Sequence, residues 1–67
     1  MKIKVNSSIL ELNEENQLSF LLKQLSLEDK KGIAVAVNAE VIPKKQWQEF
    51  QLNENDEVII IQAAQGG

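Results

Sequence analysis

The chain contains neither cysteine nor histidine. Without cysteine there is no disulfide framework, no thiolate zinc site and no thiol nucleophile. Without histidine the commonest general base and the commonest metal ligand are missing as well. A self-contained hydrolase or metalloenzyme would have to work with Asp, Glu, Lys and Ser alone, and no metal site is expected. An excess of positive charge is also lacking: 10 acidic residues against 7 basic ones give a net charge of −3. That is the wrong sign for gathering phosphates, so nucleic acid is not an expected partner. The longest apolar run, Ile33 to Val37, falls far short of the ~20 residues that span a bilayer. The opening Met1-Lys2-Ile3-Lys4-Val5 alternates charged and apolar residues and has no signal-peptide core, so a cytoplasmic protein is expected.

What is present is ordinary for a globular domain: 67 residues, 43% hydrophobic and 25% charged. A domain of this size buries only ~60% of the surface its unfolded chain exposes, so its core must be efficient. Net stability is then roughly 3 to 10 kcal/mol, enough for a free monomer.

Ile3 and Val5 alternate with Lys2 and Lys4, the period of a half-buried strand. Asn6-Ser7-Ser8 supplies turn residues and Ile9 to Leu12 reads as the returning strand of a hairpin. Those turn residues also match an N-glycosylation pattern, but no secretion signal accompanies it. Asn16 is the expected N-cap of a helix, with Glu14 and Glu15 at its positive end rather than forming a catalytic carboxylate pair. Leu18, Leu21, Leu22 and Leu25 form one stripe of that helix, and Phe20 lies off its centre. A loop from Ser26 to Gly32 returns the chain to a strand at Ile33 to Val37, with branched residues on one face and Ala34 and Ala36 on the other.

Asn38-Ala39-Glu40 turns into a short strand, Val41-Ile42, which Pro43 stops. Lys44 to Trp47 is long enough for one helical turn, and Trp47 covers the end of the core. Lys44 and Lys45 read as a solvated pair, with contact to an acidic partner or an ATP phosphate as the functional alternative. Asn53 to Asp56 is a tight turn with Asn55 suited to the left-handed conformation, and it lacks the glycine and distal glutamate of a calcium loop. Val58 to Ile61 is apolar on both faces, as a central strand covered on both sides would be, with a helix below and a partner above. The order is that of an α+β domain with a sheet wrapped round one helix.

The chain then ends on Ala63-Ala64-Gln65-Gly66-Gly67 with no further apolar anchor. At ordinary glycine usage, two glycines would close a chain by chance only about 0.5% of the time. Lacking Cβ, they can enter a narrow channel, although small residues also accumulate at termini that merely fray. Residues 1–62 are therefore read as the folded domain and 63–67 as a flexible tail.

Val35-Ala36-Val37-Asn38-Ala39-Glu40-Val41-Ile42-Pro43-Lys44, with Trp47, Asp56-Glu57-Val58 and the closing Gly66-Gly67, resembles the sulfur carriers of thiamine biosynthesis, the ThiS family. The resemblance implies a ubiquitin-like β-grasp fold. It departs from the family at Asn55, where Gly is common, and at Lys44, where Arg is frequent. It also implies a relay in which a ubiquitin-activating-like adenylyltransferase, using ATP and Mg²⁺, adenylates the Gly67 carboxylate. Sulfur, ultimately from cysteine through a desulfurase, then replaces AMP to leave a thiocarboxylate, and thiazole synthase accepts it. Gly66, Gln65, Ala64 and Ala63 would engage the partners in an extended pose, and the chain itself would bind no cofactor and catalyse nothing. The alternatives are a carrier for molybdopterin synthesis, a plain interaction module with an inert tail, and a tag conjugated to lysines.

Overall fold

The computed structural model describes residues 1–12 and 16–63. Glu14 and Glu15, expected at the helix entry, lie outside them. The elements in order are β1 (Lys2–Val5), β2 (Ser8–Glu11), α1 (Leu18–Gln24), β3 (Ile33–Val37), β4 (Glu40–Val41), a 3-10 turn (Lys44–Gln46) and β5 (Glu57–Gln62). They form a mixed five-stranded sheet in the order β2-β1-β5-β3-β4. Only β1 and β5 run parallel, which places the last strand of the chain between the first and the third. This is the β-grasp arrangement, with α1 laid across one face.

Both hairpins close through two residues, both at positive φ: Asn6 (48°) and Ser7 (72°), then Asn38 (51°) and Ala39 (70°). Such turns match the twist of antiparallel strands, and Asn tolerates them best after Gly. The first turn is one residue shorter than the sequence indicates, because Ser8 already pairs with Val5. β4 likewise begins a residue early, at Glu40, while Ile42 stays tied through its amide to the Val35 carbonyl at 2.9 Å.

The expected leucine stripe forms the helix's inner face. Leu18, Leu21 and Leu22 are fully buried beside Ile3, Val35, Val37, Ile42, Leu52 and Val58. Burying each leucine contributes about 1.5 to 3 kcal/mol, which a 7-residue helix requires, since helices this short do not persist alone in water. Its N-cap is Gln17, without a side-chain bond, and not Asn16. The first free amides find carbonyls elsewhere: Leu18 donates to Phe50 at 2.9 Å and Ser19 to Trp47 at 3.1 Å. Asn16 instead accepts from the Leu52 amide at 2.7 Å through its backbone oxygen. With tertiary acceptors covering the helix start, a capping side chain is not needed.

The helix stops in a Schellman arrangement: Ser26 donates to the Lys23 carbonyl at 3.0 Å and Leu27 to Leu22 at 2.8 Å. Ser26 takes the left-handed position (φ 62°) that glycine usually fills. Trp47, 7% exposed, closes the core's end, its Nε1 donating to the Ile42 carbonyl at 2.9 Å.

Candidate functional site at the end of the central strand

β5 is held differently on its two sides. On the β3 side, antiparallel pairing runs from Val37↔Val58 to Ile33↔Gln62, and Ala63 continues it by donating to the Gly32 carbonyl at 2.9 Å. Gly32 sits at φ 76°, a conformation it adopts without a Cβ penalty. On the β1 side, backbone pairing stops at Val5↔Val58. There the Asn6 side chain takes over, bonding both the amide and the carbonyl of Ile60.

The other end of β5 is fastened by the second hairpin turn. The Asn38 amide donates to the Glu57 carbonyl at 2.8 Å, and the Asn38 Oδ1 accepts from the Glu57 amide at 3.0 Å. Asn38 Nδ2 donates to Asp56 Oδ1 at 2.9 Å, and the Asn53 amide donates to Asp56 Oδ2 at 2.8 Å. Asp56 is the only buried charged residue among those described. Asn55 adopts the expected left-handed φ (70°) and donates its amide to the Lys2 carbonyl at 2.7 Å. The turn of acids is thus a structural knot tying the start of β5 to β1 and to the β3–β4 hairpin.

Alternation gives β5 two apolar faces with different fates. Val58 is fully buried and Ile60 packs against the core, whereas Ile59 is 36% and Ile61 60% exposed. Among the described residues the inner face is covered, as expected, and the outer face is the one for which a partner was expected. Among the described residues no second layer packs on the sheet's outer side, so residues of that register meet solvent. Ile59 pairs with Ala36 and Ile61 with Ala34, and Ala36 pairs in turn with Val41, so these side chains share the outer face. The small alanines leave the isoleucines standing proud. Towards β1 this face turns charged, with Lys4 opposite Glu57.

On the helix side an open cleft of about 470 Å³ lies between α1 and the 3-10 turn. Lys44 and Lys45, both exposed, line it together with Glu28 and Asp29, so neither charge dominates. Phe20, 38% exposed, stands at the helix edge as expected. At the other end of the sheet the amino terminus donates to Glu11 Oε2 at 2.9 Å, and that contact holds the Glu11 carboxyl below its usual range, with a smaller effect from Lys2. No helix among the described residues is long and apolar enough to cross a membrane.

Of the residues the sequence nominates, Ala63 is placed at the mouth of β5, and Ala64, Gln65, Gly66 and Gly67 lie outside the described residues. Sequence reasoning missed Asn6, Asn38 and Asp56. Their signals were Asn at the first position of each hairpin turn, an acid just before the last strand, and, for Asn38 and Asp56, a place in the family pattern.

A family model described as the ThiS family matches residues 1–67. The sulfur carrier protein ThiS of Escherichia coli (strain K12) is 27% identical over 67 residues, covering 100% of both chains. The crystal structure of a thiamine biosynthesis protein (ThiS) from Geobacter metallireducens superposes with a TM-score of 0.81 at 21% identity, over 100% of each chain. A solution structure of a thiamine biosynthesis protein from the same organism gives 0.77 at 20%, over 100% of this chain and 88% of that one. The two structures show the fold.

Proposed function

Since the chain belongs to the ThiS family, we propose that it is a sulfur carrier for thiamine biosynthesis, loaded as a thiocarboxylate on Gly67. The observation that carries this reading is the placement of β5. The central strand of the sheet, fastened on both sides, delivers the chain through Ala63 directly into Ala64-Gln65-Gly66-Gly67. A rigid body of this kind suits a tail that other proteins must find.

The chemistry follows from what the chain has. A carboxylate is a poor electrophile until one of its oxygens becomes part of a leaving group. In the reading proposed here an adenylyltransferase supplies that step: the Gly67 carboxylate attacks the α-phosphorus of ATP, with Mg²⁺ bound by the partner, and pyrophosphate departs. A persulfide fed by a cysteine desulfurase then displaces AMP at the acyl carbon, and a thiol outside this chain cleaves the resulting acyl disulfide, becoming a disulfide itself and leaving the thiocarboxylate. Thiazole synthase takes the sulfur and leaves the carboxylate for another round. The chain has no thiol, so sulfur is carried covalently on a group other than cysteine. Gly66 lacks the Cβ that would crowd a narrow active-site channel, and Ala63, Ala64 and Gln65 offer backbone groups to an extended docking partner. The protein is a regenerated cosubstrate, not a catalyst.

The test is intact mass. Incubation with the cognate adenylyltransferase, ATP, Mg²⁺ and a sulfur source is expected to raise the mass by the difference between one oxygen and one sulfur, located on the C-terminal peptide. An unchanged mass with a partner active on its own carrier refutes the reading. Isopeptide-linked products without sulfur would point to a conjugated tag. Undiminished function after deletion of Gly67 would point to a binding module.

A further inference from the structure

β1 ends where the chain swings into the Asn6-Ser7 turn, yet β5 continues to Gln62. The Asn6 amide makes the last backbone bond of that ladder, to the Val58 carbonyl at 2.9 Å. The next residue of β5 that faces β1 is Ile60, and on that side no strand remains beside it among the described residues. The Asn6 side chain stands in for one: Oδ1 accepts from the Ile60 amide at 2.8 Å and Nδ2 donates to the Ile60 carbonyl at 3.1 Å. The turn alone does not require this residue. Gly or Asp would serve a positive φ equally, but Gly has no side chain to offer and an ionised Asp has no donor. The neutral amide of Asn6 carries both a donor and an acceptor and satisfies both groups of Ile60.

We propose that Asn6 is a positioning residue for the chemistry at Gly67. It pins β5 on the β1 side at Ile60 while Gly32 pins it on the β3 side at Ala63, and together they set the direction in which the chain leaves the sheet. This rests on the carrier reading above. A chain from residue 60 to residue 67 reaches at most about 25 Å, so a small swing at the base moves its far end by several Å. Misplacement of a reacting group by about 1 Å can cost about 100-fold in rate. Fixing the base narrows the volume the carboxylate must search within the partner's active site.

Asn6→Gly keeps the left-handed turn and deletes the clip, and Asn6→Asp keeps the acceptor but not the donor. Asn38→Gly is the matched control, since it removes an equivalent clip at the far end of β5. Hydrogen exchange is expected to quicken at the Ile60 amide by about 10-fold or more in Asn6→Gly, with Val58 as protected as in the parent. In steady-state adenylation at a temperature where every variant is folded, kcat is expected to fall by about 10-fold with KM changed by less than about 2-fold. Asn6→Asp should lie between, and Asn38→Gly should be less stable yet keep its kcat. An unaltered Ile60 exchange rate, an unaltered kcat in Asn6→Gly, or an equal kcat loss in Asn38→Gly overturns the positioning role and leaves the carrier reading intact. If the parent protein itself is not adenylated by a partner active on another carrier, the carrier reading falls and the positioning role with it.

Discussion

Replacing Asp56 by Ala should be among the more damaging changes available outside the apolar core. Asp56 is 8% exposed and its carboxylate accepts two bonds, from Asn38 Nδ2 at 2.9 Å and from the Asn53 amide at 2.8 Å. Its backbone bonds, from Lys4 to the Asp56 carbonyl and from the Asp56 amide to Asn53, survive the substitution. A hydrogen bond to a charged group contributes about 1.5 to 3 kcal/mol. Asn38 and Asn53 are themselves exposed, so water recovers part of what both lose, and the expected net loss is about 2 kcal/mol. For a domain of this size that lowers Tm by about 8 to 16 °C. Asp56→Asn, which keeps the shape and one acceptor, should lose about half as much. Urea unfolding followed by the fluorescence of Trp47, the sole tryptophan, reads the change directly, with an unchanged slope as the sign that the native state is intact. Combining Asp56→Ala with Asn38→Gly should give a loss smaller than the sum by about 1 kcal/mol, because the two share a bond. A loss below about 0.5 kcal/mol for Asp56→Ala, or strict additivity in the pair, would refute the view that this knot secures the start of β5.

Ser26→Gly relieves a left-handed residue at the helix end and should stabilise the protein by about 0.5 to 1 kcal/mol, seen as a higher urea midpoint. Trp47→Phe leaves the Ile42 carbonyl without its donor and should cost about 1 to 2 kcal/mol, read from urea unfolding followed by far-UV circular dichroism because the variant has no tryptophan left to follow. Glu11→Gln tests the pair with the amino terminus. The folded-state carboxyl is held below its ordinary value of 4.5, so the contribution exists above that pH and is lost as pH falls through the folded value. The Tm difference between parent and variant should therefore be small but measurable at neutral pH and should vanish in acid. Gly66→Ala should slow loading by the adenylyltransferase, with the urea midpoint as the control for folding, and equal turnover would dispose of the narrow-channel argument.

Periodicity carried far in this chain because burial is what it encodes. Leu18, Leu21 and Leu22 are buried where the stripe places them, Val35 and Val37 point inward while Ala34 is exposed, and Trp47 seals the core. What periodicity cannot encode is which partner satisfies a backbone group. Asn16 looks like a cap by residue type, but the amides it would serve are taken by the Phe50 and Trp47 carbonyls from a remote stretch. Ser26 and Ala39 hold left-handed positions without the residue that advertises them, because hydrogen bonding and packing around them outweigh a local cost of about 1 to 2 kcal/mol. An apolar run such as Val58 to Ile61 records that both faces are oily, and not whether a second layer exists to cover them.

The candidate site divides along the same line. The closing Gly66-Gly67, the absence of any thiol and the family pattern are properties of composition and order, readable before any fold is known. The apolar run Val58 to Ile61 also marks the last strand as central, which it is, but that Asn6 and Asn38 from two separate turns grip it from either side belongs to the tertiary structure. Asn6 and Ile60 are 54 positions apart, and Asn38 and Glu57 are 19 apart. Local sequence determines how a residue prefers to bend and whether it prefers water. Only the closed sheet decides which distant backbone group its side chain will meet.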